Sequence, residues 1–251
     1  MIRIVRPRLP SELESSLATL TQELADTPAT ARDEHAQQLW KRKTVRRNVY
    51  IPLRAALEDM APGVACCMYC GNQLADNIDH FIPKAKSPIR TFCWHNLLLS
   101  CATCNSRFKG EKHKGDGLFG SLLIDPTRED PFDYLALALD SGVYREVDGS
   151  KKGLWTIEVC GLNHKGLPRA RSKAWRQLGG NLRSWDRARA DHDQAEMHYY
   201  VCCMRDQPFA DVCHAALRHA VSEHAESIFA YSHPSVLELL RDEELRASLL
   251  A

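Results

Sequence analysis

The sequence predicts a mainly α-helical protein whose helical N- and C-terminal flanks hold a small module of short strands, loop and helix. Three observations carry that expectation. Near the start, Leu13, Leu17, Leu20 and Leu24 recur at helical spacing. Beyond Leu162, stripes such as Phe209, Val212, Ala216 and Ala220 recur in the same way. Between these regions lie two Cys-x-x-Cys knuckles, Cys67 with Cys70 and Cys101 with Cys104. The expected divisions are a helical region over 1–63, the module over 64–120, and a mostly helical region with a short β-hairpin over 121–251.

The elements follow in chain order. Ser11 and Glu14 form a capping-box pattern at the head of the first helix, and Pro28 ends it. A second helix starts near Thr30 and carries Leu39, Trp40 and a basic run. Pro52 interrupts or kinks it, and a helix over about 53–60 leads to the first knuckle. In the module, two short strands are expected around Asp79-His80. A long loop through Pro88 and Asn96 follows, then a helix from about Ala102 to Lys109. After a glycine-rich exit over 110–120, residues 121–124 read as a strand. Gly142 to Val147 and Trp155 to Val159 read as a hairpin with 148–153 as its turn. Helices are then expected over Leu167–Leu182, Trp185–Met204 and Pro208–Tyr231, with a last one after Pro234.

At 251 residues the chain can bury a good core, as one domain or two. It has no apolar run of about 18 residues, so no transmembrane helix and no membrane partner is expected. The opening MIRIVRPRLP lacks a secretory core. The cytoplasm is the default location, and reduced thiols there favour metal binding over disulfides. The net charge is only +1, modest for a free-standing polyanion binder. Basic residues do concentrate, at Lys41, Arg42, Lys43, Arg46 and Arg47, and again from Lys165 to Arg189. These runs read either as a phosphate-binding surface or as solvated or partner-binding helix faces. No phosphate-cradling glycine loop or Ser-His-Asp arrangement occurs, so any ATP dependence would need a partner.

The knuckles carry the strongest chemical signal. A Cys-x-x-Cys turn brings two sulfurs to one ion, and two such turns complete a closed tetrahedral Zn2+ site at Cys67, Cys70, Cys101 and Cys104. Cys66 competes with Cys67 for the first position; the matching spacing of the second knuckle favours Cys67. Cys66, Cys93, Cys160, Cys202, Cys203 and Cys213 show no such spacing and read mostly as buried thiols.

Within and after the knuckles stand Cys-x-Tyr-Cys-Gly, Asp-His-x-x-Pro-Lys, Trp-x-Asn-Leu and Cys-x-x-Cys-Asn-x-x-x-Lys. This pattern, over about a fifth of the chain, resembles the HNH endonucleases of the ββα-metal fold. The resemblance implies a mainly α protein with a small ββα-metal (HNH) module that hydrolyses phosphodiester bonds in DNA. His80 suits the general base that deprotonates water near neutral pH. The resemblance implies that Asp79 and Asn105 hold a catalytic Mg2+ or Mn2+, an ion suited to few oxygen ligands. It gives Asn96 the role of pinning the loop and orienting the histidine. Lys109 lies four residues after Asn105, on one helix face, where it can meet a phosphate. Arg107 and Lys112 are lesser helpers. The bland readings are a spectator or zinc-bound His80, a turn-capping Asp79, a purely structural Asn96 and a solvated Lys109. His95 and His113 read as bystanders, with contact to DNA the alternative for His113. Some HNH enzymes carry a histidine or carboxylate where this chain has Asn105.

The phrases LLIDPTREDPFDYL and TIEVCGLNHKGLPRAR resemble a narrower branch, the nuclease subunit of Septu-type and retron-linked anti-phage defence systems. That branch implies an ABC-type ATPase protein partner and a defence role. Two other functions compete: a non-catalytic zinc-stabilised module binding nucleic acid or protein, and an HNH ribonuclease or tRNA-cleaving toxin.

Overall fold

A computed structural model describes residues 1–72, 75–115 and 120–250. Helix α1 (Ser11–Asp26) buries Leu13, Leu17, Leu20 and Leu24. No side chain caps its start, so the capping box is not formed. Pro10 is the N-cap instead, and its carbonyl accepts from the Leu13 and Glu14 amides. Helix α2 (Arg32–Lys41) buries Ala36 and Leu39. The chain then continues through one turn at Lys43–Val45 and a π-helical segment at Arg46–Tyr50 into α3 (Ile51–Met60). Pro52 does not interrupt this run. The wider turn bonds the Ile51 amide to the Arg46 carbonyl and leaves Pro52 in the first turn of α3, where a missing N–H costs little.

The module's strands are β1 (Asn77–His80) and β2 (Leu97–Ser100). They pair antiparallel, with Asp79 opposite Leu98 and His80 opposite Leu97. Every residue of β2 is buried, on both faces, as expected of a short strand with an unbroken apolar run. Short 3-10 turns at Pro88–Arg90 and Trp94–Asn96 shape the connecting loop. The helix of the module is a π-helical segment, Thr103–Lys109, closed by the Gly110 amide on the Asn105 carbonyl. The glycine-rich exit falls partly outside the described residues.

The C-terminal region corrects two expectations. Residues 121–124 form no strand; they run irregularly, with the Ile124 amide donating to Thr156 Oγ1. The hairpin pairs β3 (Leu135–Ala138) with β4 (Val143–Glu146), so the partner lies upstream of Gly142 rather than downstream. Gly142 sits at φ +67°, and a Cβ there would lie 2.0 Å from the Pro168 carbonyl oxygen. Residues Lys151–Val159 are helix α4, capped by Ser150 accepting from the Gly153 amide. Their buried positions, Gly153, Thr156 and Val159, repeat every third residue, a helical period.

Helix α5 (Leu167–Ala190) runs unbroken past the expected stop at Leu182, because Leu178, Leu182, Trp185 and Ala188 continue one buried stripe. The break comes instead before Asp193, which caps α6 (Gln194–Asp206). Helix α7 (Ala210–His219) ends well before Tyr231, followed by a turn at Ala225–Ile228 and by α8 (Pro234–Arg241) and α9 (Glu243–Leu250). Buried apolar residues from all three stretches of chain join one core. Arg171 leaves the basic surface expected for its run. It is fully buried, donating to the Gly142 and Leu162 carbonyls beside Asp211. No helix among the described residues is long and apolar enough to cross a membrane.

Candidate active site

The four knuckle cysteines converge. The sulfurs of Cys67, Cys70, Cys101 and Cys104 lie within 4.8 Å of one another, the spacing of a tetrahedral thiolate site for one metal ion. Cys66 is buried outside this group, its sulfur 3.8 Å from the Val64 carbonyl. Cys67 is therefore the member of the cluster. Cys104 also reaches the Cys160 carbonyl at 3.3 Å, which ties the knuckle to the C-terminal region.

The clamp presents β1 and the Thr103–Lys109 segment to one cleft of about 400 Å³. Asp79, His80 and Asn105 all line it. So do Gln37, Trp40 and Lys41 from α2, with Lys84 and Glu111. A larger cleft of about 950 Å³ between α1 and α3 is lined mainly by apolar residues and does not reach β1, so the chemistry singles out the smaller one.

His80 is 7% exposed, and its Nε2 lies 3.0 Å from the Thr91 carbonyl oxygen. A carbonyl can only accept, so Nε2 carries the proton and Nδ1 keeps its lone pair in the neutral ring. Trp40 packs edge-on against the imidazole at 4.7 Å between centroids. Burial removes the water an imidazolium would need, and with Lys84 adjacent it lowers the His80 pKa to about 4. Between pH 6.5 and 4 the unfolded chain then binds the proton and the folded chain does not. Stability is full above the unfolded value and falls with pH through that window, by on the order of 3 kcal/mol for this group. Urea unfolding of the wild type and His80→Asn across this range checks it: the wild type should lose stability relative to the variant as pH drops.

Asn96 is fully buried and pins the loop from both ends of its amide. Its Oδ1 accepts from the Ile82 amide, and its Nδ2 donates to the carbonyls of Ile82 and Arg90. Arg90 precedes Thr91, so Asn96 fixes the carbonyl that orients His80.

Asp79 is 3% exposed and carries partners on both oxygens. The Tyr69 hydroxyl donates to Oδ2 at 2.6 Å, and Lys109 Nζ donates to Oδ1 at 3.0 Å. Lys109 also donates to the His80 carbonyl at 2.8 Å. This corrects the expectation for Lys109. Its side chain is 0% exposed and neutralises Asp79 from beneath, so it neither meets a phosphate nor sits in solvent. Cations that do line the cleft are Lys41 and Lys84, the latter with its ammonium 5.2 Å from the Trp40 ring centroid. Removing one member of a buried pair strands the other. Lys109→Met is expected to destabilise the fold by about 3–5 kcal/mol in urea unfolding; a wild-type midpoint would remove this role.

Asn105 is half-buried, and its side-chain amide bonds to no described residue, so it is free for a ligand. A carboxylate offers about four lone-pair directions, so Asp79 keeps capacity beyond its two bonds. Asp79 and Asn105 thus present hard oxygen donors to a shared cleft, a set that fits a hard divalent cation completed by water and phosphate. Tyr69 and Lys84 stand within the motif pattern without an assigned role there, and Trp40 carries no sequence signal as a site residue. Only the Tyr69 position, inside the first knuckle, placed it near the metal clamp.

Residues 67–111 match the HNH endonuclease family. The matched segment carries the four-cysteine clamp together with Asp79, His80 and Asn105 of the cleft, so the likeness to that family rests on this part of the chain. Beyond it, the chain is similar to the Septu protein PtuB of Bacillus thuringiensis, 29% identical over 168 residues, covering 65% of this chain and 55% of the relative. It is also similar to the Septu protein PtuB of Bacillus mycoides (strain KBAB4), 28% identical over 141 residues, covering 45% of this chain and 48% of the relative. The matched part of the chain spans about half the length of these relatives.

Proposed function

We propose that the protein is a metal-dependent endonuclease that hydrolyses phosphodiester bonds in DNA. The observation supporting this reading is the single cleft that holds His80, Asp79 and Asn105, with His80 Nε2 committed to the Thr91 carbonyl. Nδ1 of His80 takes a proton from water as the water oxygen attacks phosphorus, the P–O3′ bond breaks, and the departing 3′ oxygen takes a proton from solvent water. Asn96 keeps the loop, and through it the ring, in place. Lys41 and Lys84 attract the substrate's phosphates. Asp79 and Asn105 would hold a Mg2+ or Mn2+ ion, which would supply positive charge against the phosphate and the departing oxygen. Cys67, Cys70, Cys101 and Cys104 would hold Zn2+ as a structural ion. By family resemblance the products carry 5′-phosphate and 3′-hydroxyl ends.

The similarity to Septu protein PtuB supports a role in a Septu-type defence system, and the resemblance of the sequence to that branch adds an ABC-type ATPase as the partner, with the cytoplasm as the setting. The near-neutral charge, +1, fits a nuclease that needs such a partner for tight substrate engagement. Purified protein with Mg2+ is to be incubated with plasmid, single-stranded DNA and tRNA, with and without a co-purifying ABC-type ATPase. Cutting of DNA supports the proposal. Cutting of tRNA alone makes it a ribonuclease, and cutting of nothing under any of these conditions leaves a binding module.

A further inference from the structure

A second cleft opens beside the catalytic one. It measures about 570 Å³ and shares Ser106, Gly110 and Glu111 with the first. Exposed Lys86, Arg107, Lys112 and Lys114 line it, against the single carboxylate of Glu111. Neither Arg107 nor Lys112 forms an ion pair with a described residue. Lys86 spends one donor on the His113 carbonyl, and the Lys114 ammonium rides 4.0 Å from the Trp155 ring centroid.

The cleft wall holds two buried nitrogen groups without hydrogen-bond partners among the described residues. His113 is 7% exposed, and neither ring nitrogen has a hydrogen bond to a described residue. Trp155 Nε1 is likewise buried and unbonded. An indole N–H can only donate, and a neutral imidazole has one N–H to give. Native proteins rarely leave such groups unpaired, and an unpaired one calls for an explanation such as a ligand. Four cations and unspent N–H groups around one cavity ask for an anion rich in acceptors.

The geometry points to a subsite for a backbone phosphate of the polynucleotide, one that flanks the phosphate attacked at His80. It rests on the nuclease reading and deepens it. The strand would leave the catalytic cleft across Ser106 and Gly110 and deliver its next phosphates to Lys112, Lys114 and Arg107. Trp155 comes from α4, so the subsite joins the family-matched segment to the C-terminal region. A backbone phosphate carries no base identity, so this subsite sets affinity and strand path rather than sequence preference.

The test measures anisotropy of a labelled DNA duplex, without added divalent ion, over a range of salt concentrations. Wild type is compared with Lys112→Ala/Lys114→Ala and with Lys112→Glu; both sites are exposed, so folding is retained, with circular dichroism as the check. Each lost phosphate contact should flatten the slope of log K against log salt by about 1, and weaken all sequences alike. Lys112→Glu should weaken binding further than alanine at that position. An unchanged slope, in a wild type that binds and cuts DNA, overturns the subsite and leaves the nuclease reading standing. The same holds if the lysines matter only for an acidic protein partner. A wild type that neither binds nor cuts any polynucleotide overturns both.

Discussion

Replacing His80 with alanine is expected to lower phosphodiester cutting by roughly 10²–10⁴-fold while leaving the metal content of the cysteine site unchanged. The size follows from the chemistry. A positioned general base removes the proton of the attacking water in the transition state, and nothing else in the cleft replaces it. Asp79 has both oxygens engaged, and Glu111 lies at the rim. The metal content is spared because the imidazole is not a member of the four-sulfur cluster. Some stability will be lost with the ring that packs on Trp40, so initial rates should be taken well below the unfolding transition. Elemental analysis and plasmid nicking on the same preparation give both readouts. Wild-type cutting by the variant would remove His80 from the chemistry.

The second large effect concerns the clamp. Binding of Zn2+ by four thiolates is folding free energy for a small module, on the order of 10 kcal/mol in apparent terms. Cys67→Ser or Cys101→Ser is expected to cost the ion and, with it, the ordered strands and loop that carry His80 and Asn96. Cys66→Ser should keep the ion, because that sulfur lies outside the cluster. Zinc stoichiometry and cooperativity of thermal unfolding are the measurements. Equal zinc loss in Cys66→Ser and Cys67→Ser, or protein purified without zinc, would sink this assignment.

The clamp and the motif were legible in the sequence because both are local. Cys-x-x-Cys fixes two ligands within one turn, and Asp79-His80 on a strand fixes their opposite directions. The leucine stripe of α1 was legible for the same reason, since a period is a short-range property. What escaped was set by distance along the chain. Trp40 meets His80, and Tyr69 meets Asp79, only after the chain has folded. Lys109 misled because a lysine near an active-site motif suggests a phosphate, whereas a buried carboxylate with no other cation claims it first. The segment 155–159 reads as alternating apolar residues in isolation. Its helix is decided by the Ser150 cap and by packing that no five-residue window contains. Arg171 shows the same limit for charge runs: one arginine in a basic stretch is the buried partner of Asp211.

The roof that Trp40 lays over His80 has a consequence for how the molecule can be divided. That roof belongs to α2, outside the family-matched 67–111 segment. A peptide trimmed to the matched residues would open the imidazole to bulk water. Its proton affinity would climb back toward that of an ordinary histidine, and its acid limb would move up with it. The base's working range is therefore a property of the whole chain, acquired only when a helix from one end of the sequence shuts out solvent above a strand from the middle.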